Sequence, residues 1–141
     1  MSKYVIGVDV GTTSTRSVLY SDRGKLIEQY AIKYPLNAPI PGAAVQNPDE
    51  IFQAAIATVK QVVEQSSINP SDILCLSFSA AMHSLIAVDN RGIPLTPSLT
   101  WADNRSVAYA HKLKQENRGY DIYARTYTPI KTKSNKESKI N

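Results

Sequence analysis

Apolar positions recur along this chain in two rhythms, one of two residues and one of three to four. The first stretch, residues 4–10 (YVIGVDV), is a short apolar run rich in β-branched residues, which favours a buried strand. Arg16, Val18 and Tyr20 then alternate with Thr15, Ser17 and Leu19, so residues 15–21 read as a second strand paired back on the first. A turn at 21–25 leads to a third strand over 26–34. Residues 35–48 hold four of the eight prolines plus Gly42 and read as a surface loop. A helix opens at Asn47, which suits the N-cap. Pro48 fits the first helical position, and Asp49 and Glu50 the acidic first turn, with Glu50 placed for a capping box. Ile51, Phe52, Ala55, Ile56, Val59, Val62 and Val63 form its apolar face, expected to be core, and the helix should end near Gln65. Residues 73–79 (ILCLSFS) read as a buried strand parallel to the first, as a crossover helix requires. Residues 85–89 read as a strand in a hairpin with 98–101. A helix follows over 105–117, Gly119 is its expected stop, and 120–128 is a weaker helical segment. The expected fold is α/β: a mixed five-stranded sheet with flanking helices.

Composition adds limits. The chain has 141 residues, 43% hydrophobic and 20% charged, enough for one modest domain with a core. No apolar run approaches the roughly 20 residues that span a bilayer. The start has no signal-peptide layout, so the cytoplasm is the expected compartment. The net charge of +4 is uneven. Residues 131–141 carry +3 of it and read as a basic disordered tail, while the rest of the chain is nearly neutral. No basic face for nucleic acid is expected. The single cysteine, Cys75, lies in an apolar run and is expected to be a buried core thiol.

Candidate chemistry begins at the first turn. Asp9 sits inside an apolar run, where a carboxylate is costly without a cation, donor or water. Gly11 lets a ligand approach the backbone, and Thr12, Thr13 and Ser14 supply hydroxyls and amides for phosphate oxygens. Asp9 can hold hydrated Mg²⁺, and Arg16 can neutralise phosphate charge. The pattern also fits an ordinary hairpin with a capped turn. It contains neither GxxxxGK(S/T) nor GxGxxG, which excludes a P-loop and a dinucleotide turn. The neighbours of Asp9 two residues either side are Gly7 and Gly11, which excludes a dehalogenase-type phosphatase.

Met82 and His83 follow a central strand, and ligands bind beyond the carboxyl ends of strands in open α/β sheets. His83 reads either as a donor to a substrate hydroxyl or as a satisfied structural group. Trp101, Asp103 and Arg105 form a polyol-recognition set, with Asp103 equally suited to cap the next helix. Gln46 reads as a solvated loop residue or a substrate contact. His111 reads as solvated or packed.

Three motifs occur in order: Asp9-Val10-Gly11-Thr12-Thr13 with Arg16, then Ala81-Met82-His83-Ser84, then Trp101-Ala102-Asp103-Asn104-Arg105. Together they resemble the start of the FGGY carbohydrate kinases, whose fold is the actin/hexokinase-like (ribonuclease H-like) ATPase domain. The runs VDVGTTSTRSVLY, QNPDEIF and LSFSAAMHSLIAVD are most similar to the gluconate kinase branch, with xylulose kinases next. The resemblance implies ATP-dependent phosphorylation of a primary hydroxyl on a sugar acid or ketose, most closely gluconate to 6-phosphogluconate. It implies ATP and Mg²⁺ as cofactors, with Asp9 organising the metal and Gly11, Thr12, Thr13 and Arg16 at the phosphates. Met82, His83, Trp101, Asp103 and Arg105 would lie on the sugar side. No catalytic residue is assigned here, because the family's catalytic Asp lies beyond the matching stretch. The resemblance covers about residues 3–130 and implies an N-terminal portion of the first kinase domain, inactive alone. Full-length relatives are often dimeric. A non-enzymatic sugar- or phosphate-binding module is the alternative.

Overall fold

The computed structural model describes residues 2–116, 118–127 and 130. It divides into two compact units, Met1–Ala102 and Asp103–Asn141. The first unit begins with three antiparallel strands, β1 (Tyr4–Val10), β2 (Ser14–Ser21) and β3 (Leu26–Lys33). A two-residue strand, β4 (Val45–Gln46), precedes helix α1 (Pro48–Ser66). A single 3₁₀ turn then leads into β5 (Ile73–Ala80). The sheet order is β3-β2-β1-β5, with β5 parallel to β1. The strand after the crossover helix is thus parallel to β1, as expected.

α1 starts as its sequence dictates. The Asn47 side chain accepts from the Asp49 amide at 2.9 Å, and Pro48 occupies the first turn without wasting a donor. No reciprocal bond from Glu50 completes a capping box among the described residues. The helix stops at Ser67, which takes a left-handed conformation (φ 55°). Its buried line is Ala54, Thr58 and Val62, spaced four apart, so the small Ala54 and Thr58 let the backbone approach the sheet. Phe52 and Ile56, expected in the core, are exposed instead. The expected stripe was rotated, because the helix packs over β1, β2 and β3 rather than β5.

The core is small. Ile6, Val8 and Leu19 point from the sheet to Val62, with Tyr30, Val59 and Ile73 among the partly buried groups around them. Thr15 and Ser17 share the inward face of β2 with Leu19 and are also fully buried. Ser17 donates to Thr58 Oγ1 at 2.8 Å, and Thr58 donates to the Ala55 carbonyl at 3.1 Å. Thr58→Val keeps the shape but leaves the Ser17 hydroxyl buried without an acceptor, which should cost about 1–3 kcal/mol in urea unfolding. Adding Ser17→Ala should recover part of that loss. A double variant no more stable than Thr58→Val would mean that packing, not the bond, sets the cost.

β5 pairs as expected but is not buried. Leu74, Leu76 and Phe78 are 46–64% exposed, and Cys75 is exposed too, which corrects its reading as a core thiol. β5 is an edge strand of the sheet, and α1 packs chiefly over β2 and β3 rather than over it. The expected fifth strand, 85–89, is absent from the four-stranded sheet among the described residues. Leu85 and Val88 make only isolated bridges, to Leu99 and Pro94. The tight turn at Asp89 bends the segment away from regular pairing. Its carboxylate accepts from the Arg91 and Ile93 amides and the Arg91 guanidinium. The Ile93 amide is the main cause holding that carboxyl below its usual range. Strand β6 (Ser98–Leu99) pairs instead with β4, in a separate two-stranded sheet.

The second unit holds α2 (Val107–Gln115) and α3 (Arg118–Thr126). Gly119 lies inside α3 rather than stopping α2. Ser106, not Asp103, is the N-cap of α2. His111 is exposed. The expected tail, 131–141, lies outside the described residues. No helix among the described residues is long and apolar enough to cross a membrane.

Candidate functional site

The carboxyl ends of β1 and β5 lie side by side, with Val10 paired to Ala80 and the Ala81 amide donating to the Val10 carbonyl at 2.9 Å. Two predicted motifs leave the sheet together there: turn 11–14 from β1, and Met82-His83 from β5. Parallel strand ends of this kind are where α/β sheets bind ligands.

The turn is polarised. The Gly11 carbonyl accepts from Tyr34 Oη at 2.6 Å and the Thr12 carbonyl from Gln46 Nε2 at 2.7 Å. The Thr13 carbonyl accepts from the Tyr34 amide at 3.2 Å, and the Ser14 carbonyl from the Gly11 amide at 2.9 Å. All four acceptors are thus engaged. The amides of Thr12 and Thr13 have no acceptor among the described residues. A turn with engaged carbonyls and open amides is an anion-binding concavity. Gly11 is needed for this closure, since a Cβ there would stand 3.0 Å from the Ser14 carbonyl.

Asp9 and Arg16 are cross-strand partners on the face opposite α1, and both are exposed. With Gly7, Val18, Tyr20, Ser77 and Ser79 they line a shallow depression of 260 Å³. No ion pair joins Asp9 to Arg16, and the Asp9 carboxylate has no hydrogen-bond partner among the described residues, while its backbone pairs within the sheet. No group of three or more His, Cys, Asp or Glu side chains is clustered for a metal among them. A cation at Asp9 would therefore keep most of its own waters.

His83 is one of three non-glycine residues with positive φ (64°) among the described residues, and its side chain is exposed beside Met82. Such conformations cluster at binding sites. Trp101 reaches the turn directly, with Nε1 donating to Thr12 Oγ1 at 3.1 Å. Within the second unit, Asp103 and Arg105 face each other in a fork, Nε to Oδ2 at 3.0 Å and Nη2 to Oδ2 at 2.7 Å. That carboxylate raises the Arg105 guanidinium above its usual pKa. The structure thus brings Asp9, Gly11, Thr12, Thr13, Arg16, Met82, His83 and Trp101 to one end of the first unit, and joins Asp103 to Arg105 separately.

Gln46 is a support of the turn rather than a loop residue reaching into solvent: it is buried and bonded to Thr12. Tyr34 was not anticipated. Nothing in its local sequence signals that its hydroxyl reaches Gly11 and Thr15, 23 and 19 residues away.

Sheet order and turn define a mixed α/β domain whose first hairpin closes on a turn with two open amides. The sequence model of the FGGY family of carbohydrate kinases, N-terminal domain, matches residues 4–140. The gluconokinase of Bacillus subtilis is 49% identical over 130 residues, which are 92% of this chain and 25% of that protein. A crystal structure of gluconate kinase from Lactobacillus acidophilus superposes with TM-score 0.85 and 35% identity, covering 92% of this chain and 26% of that one. A ligand-bound xylulose kinase from the same organism gives 0.80 and 36%, covering 86% and 24%. The chain belongs to the FGGY family of carbohydrate kinases, with the actin/hexokinase-like fold. It spans about a quarter of the length of the curated relatives it matches.

Proposed function

We propose that this chain supplies the phosphate-binding turn and part of the sugar side of an ATP-dependent kinase acting on a sugar acid, gluconate by the likeness to gluconokinase. The observation that carries the phosphate half is turn 11–14, with every carbonyl engaged and two amides open beside Asp9. An exposed, unpaired carboxylate at that position suits Mg²⁺, which binds through one or two carboxylates plus substrate phosphates. When bound, the ion would neutralise charge on the transferring phosphoryl group. The Thr12 and Thr13 amides and Arg16 would hold phosphate oxygens. Met82, His83 and the Trp101 ring would pack against the polyol, and the family likeness names Asp103 and Arg105 as further sugar contacts.

Phosphoryl transfer depends on positioning between parts, so the 141-residue chain alone should release no sugar-dependent ADP. A chimera is the direct test. Its N-terminal 130 residues would come from this chain, replacing the matching part of Bacillus subtilis gluconokinase. It should phosphorylate gluconate in a coupled ADP assay. Preference for xylulose would favour the second reading, motivated by the similar likeness to xylulose kinase. A folded chimera without turnover on either sugar would defeat both.

A further inference from the structure

An indole N–H only donates, whereas a threonine hydroxyl carries one proton and two lone pairs. Trp101 Nε1 lies 3.1 Å from Thr12 Oγ1, so the Thr12 oxygen accepts there and its proton is left for another acceptor. The ring is 60% exposed, so this bond is not a by-product of core packing. It is held from behind: Thr100 donates through both its amide and its hydroxyl to the Ala44 carbonyl, at 3.0 and 2.9 Å. The paired strand β4 sends Gln46 to the Thr12 carbonyl. Strand β4 and the residues just after β6 thus grip Thr12 at its carbonyl and its hydroxyl together.

We propose that Trp101 is a positioning residue that fixes the Thr12 hydroxyl as a donor to a phosphate oxygen, coupling the polyol side of the site to its phosphate side. This rests on the phosphate reading of turn 11–14. A polyol pressing on the Trp101 ring would steady the indole N–H, and so the Thr12 proton. Loss of the N–H should matter only through Thr12.

The test is a titration of the ¹⁵N-labelled chain with magnesium tripolyphosphate, following the Thr12 and Thr13 amides by NMR. Trp101→Phe, which keeps a ring and loses the donor, should weaken binding about three- to tenfold, the size of one neutral hydrogen bond. Thr12→Val should do the same, and the double variant should bind no more weakly than Thr12→Val alone. Parent-like binding by Trp101→Phe, or a full additional loss in the Thr12→Val background, would overturn the proposal. If Trp101→Phe does not fold, Thr12→Ser against Thr12→Val decides it, because only serine keeps the hydroxyl. Equal affinity of those two would refute the role. A parent chain with no shift at Thr12 or Thr13 would instead refute the phosphate reading, and the proposal with it.

Discussion

Asp9→Ala in the chimera should lower gluconate-dependent turnover by about a thousandfold or more, equivalent to roughly 4 kcal/mol of lost transition-state stabilisation. The same change should leave stability level or slightly raised. Asp9 is exposed, has no bond to lose among the described residues, and sits in a central strand where Asp is a poor β-former. Asp9→Asn separates charge from shape, since the amide fills the same space without attracting a cation. It should lose nearly as much activity as alanine. Asp22→Ala, in the exposed β2–β3 turn, is the matched control and should leave turnover unchanged. Turnover and urea midpoint measured on all three variants separate the readings. Retained activity in Asp9→Asn would remove the metal role. A large drop in the midpoint for Asp9→Ala would show that the carboxylate supports the fold.

How much of this was legible in the sequence varies by element, for physical reasons. The first hairpin follows from an apolar β-branched run and an alternating strand after it, and the start of α1 follows from Asn47 and Pro48, because these signals are local. The adjacency of turn 11–14 and Met82-His83 followed once the crossover helix made β5 parallel to β1. What alternation does not reveal is which part of a sheet a helix covers. That is why Phe52, Ile56 and Cys75 were expected inside and lie outside. Residues 85–89 had strand composition, but the Asp89 turn competes for their backbone partners. The bracing of the turn was the least legible part. Trp101 meets Thr12 across 89 residues and Tyr34 meets Gly11 across 23, and no local pattern encodes either contact.

Leu19→Ala should be among the most destabilising single changes in the first unit, at about 3 kcal/mol in urea unfolding. Leu19 is 0% exposed and belongs, among the described residues, to a cluster of four buried apolar residues with Ile6, Val8 and Val62. A core that small has few neighbours able to close over a cavity, and small domains hold only about 5–15 kcal/mol in total. Leu76→Ala makes the same chemical change on the same side of the sheet, paired to Ile6 on the edge strand, at a residue 46% exposed. It should cost about 1 kcal/mol or less, because nearly half of the residue already faces solvent and the edge can relax around it. The contrast is more informative than either value. Equal losses would mean that the apolar flank of β5 is covered in solution, and that the core extends across β5. A threefold gap would mean that Leu74, Leu76 and Phe78 remain an open apolar flank, one that adds little to the stability of the first unit and is free to take up cover.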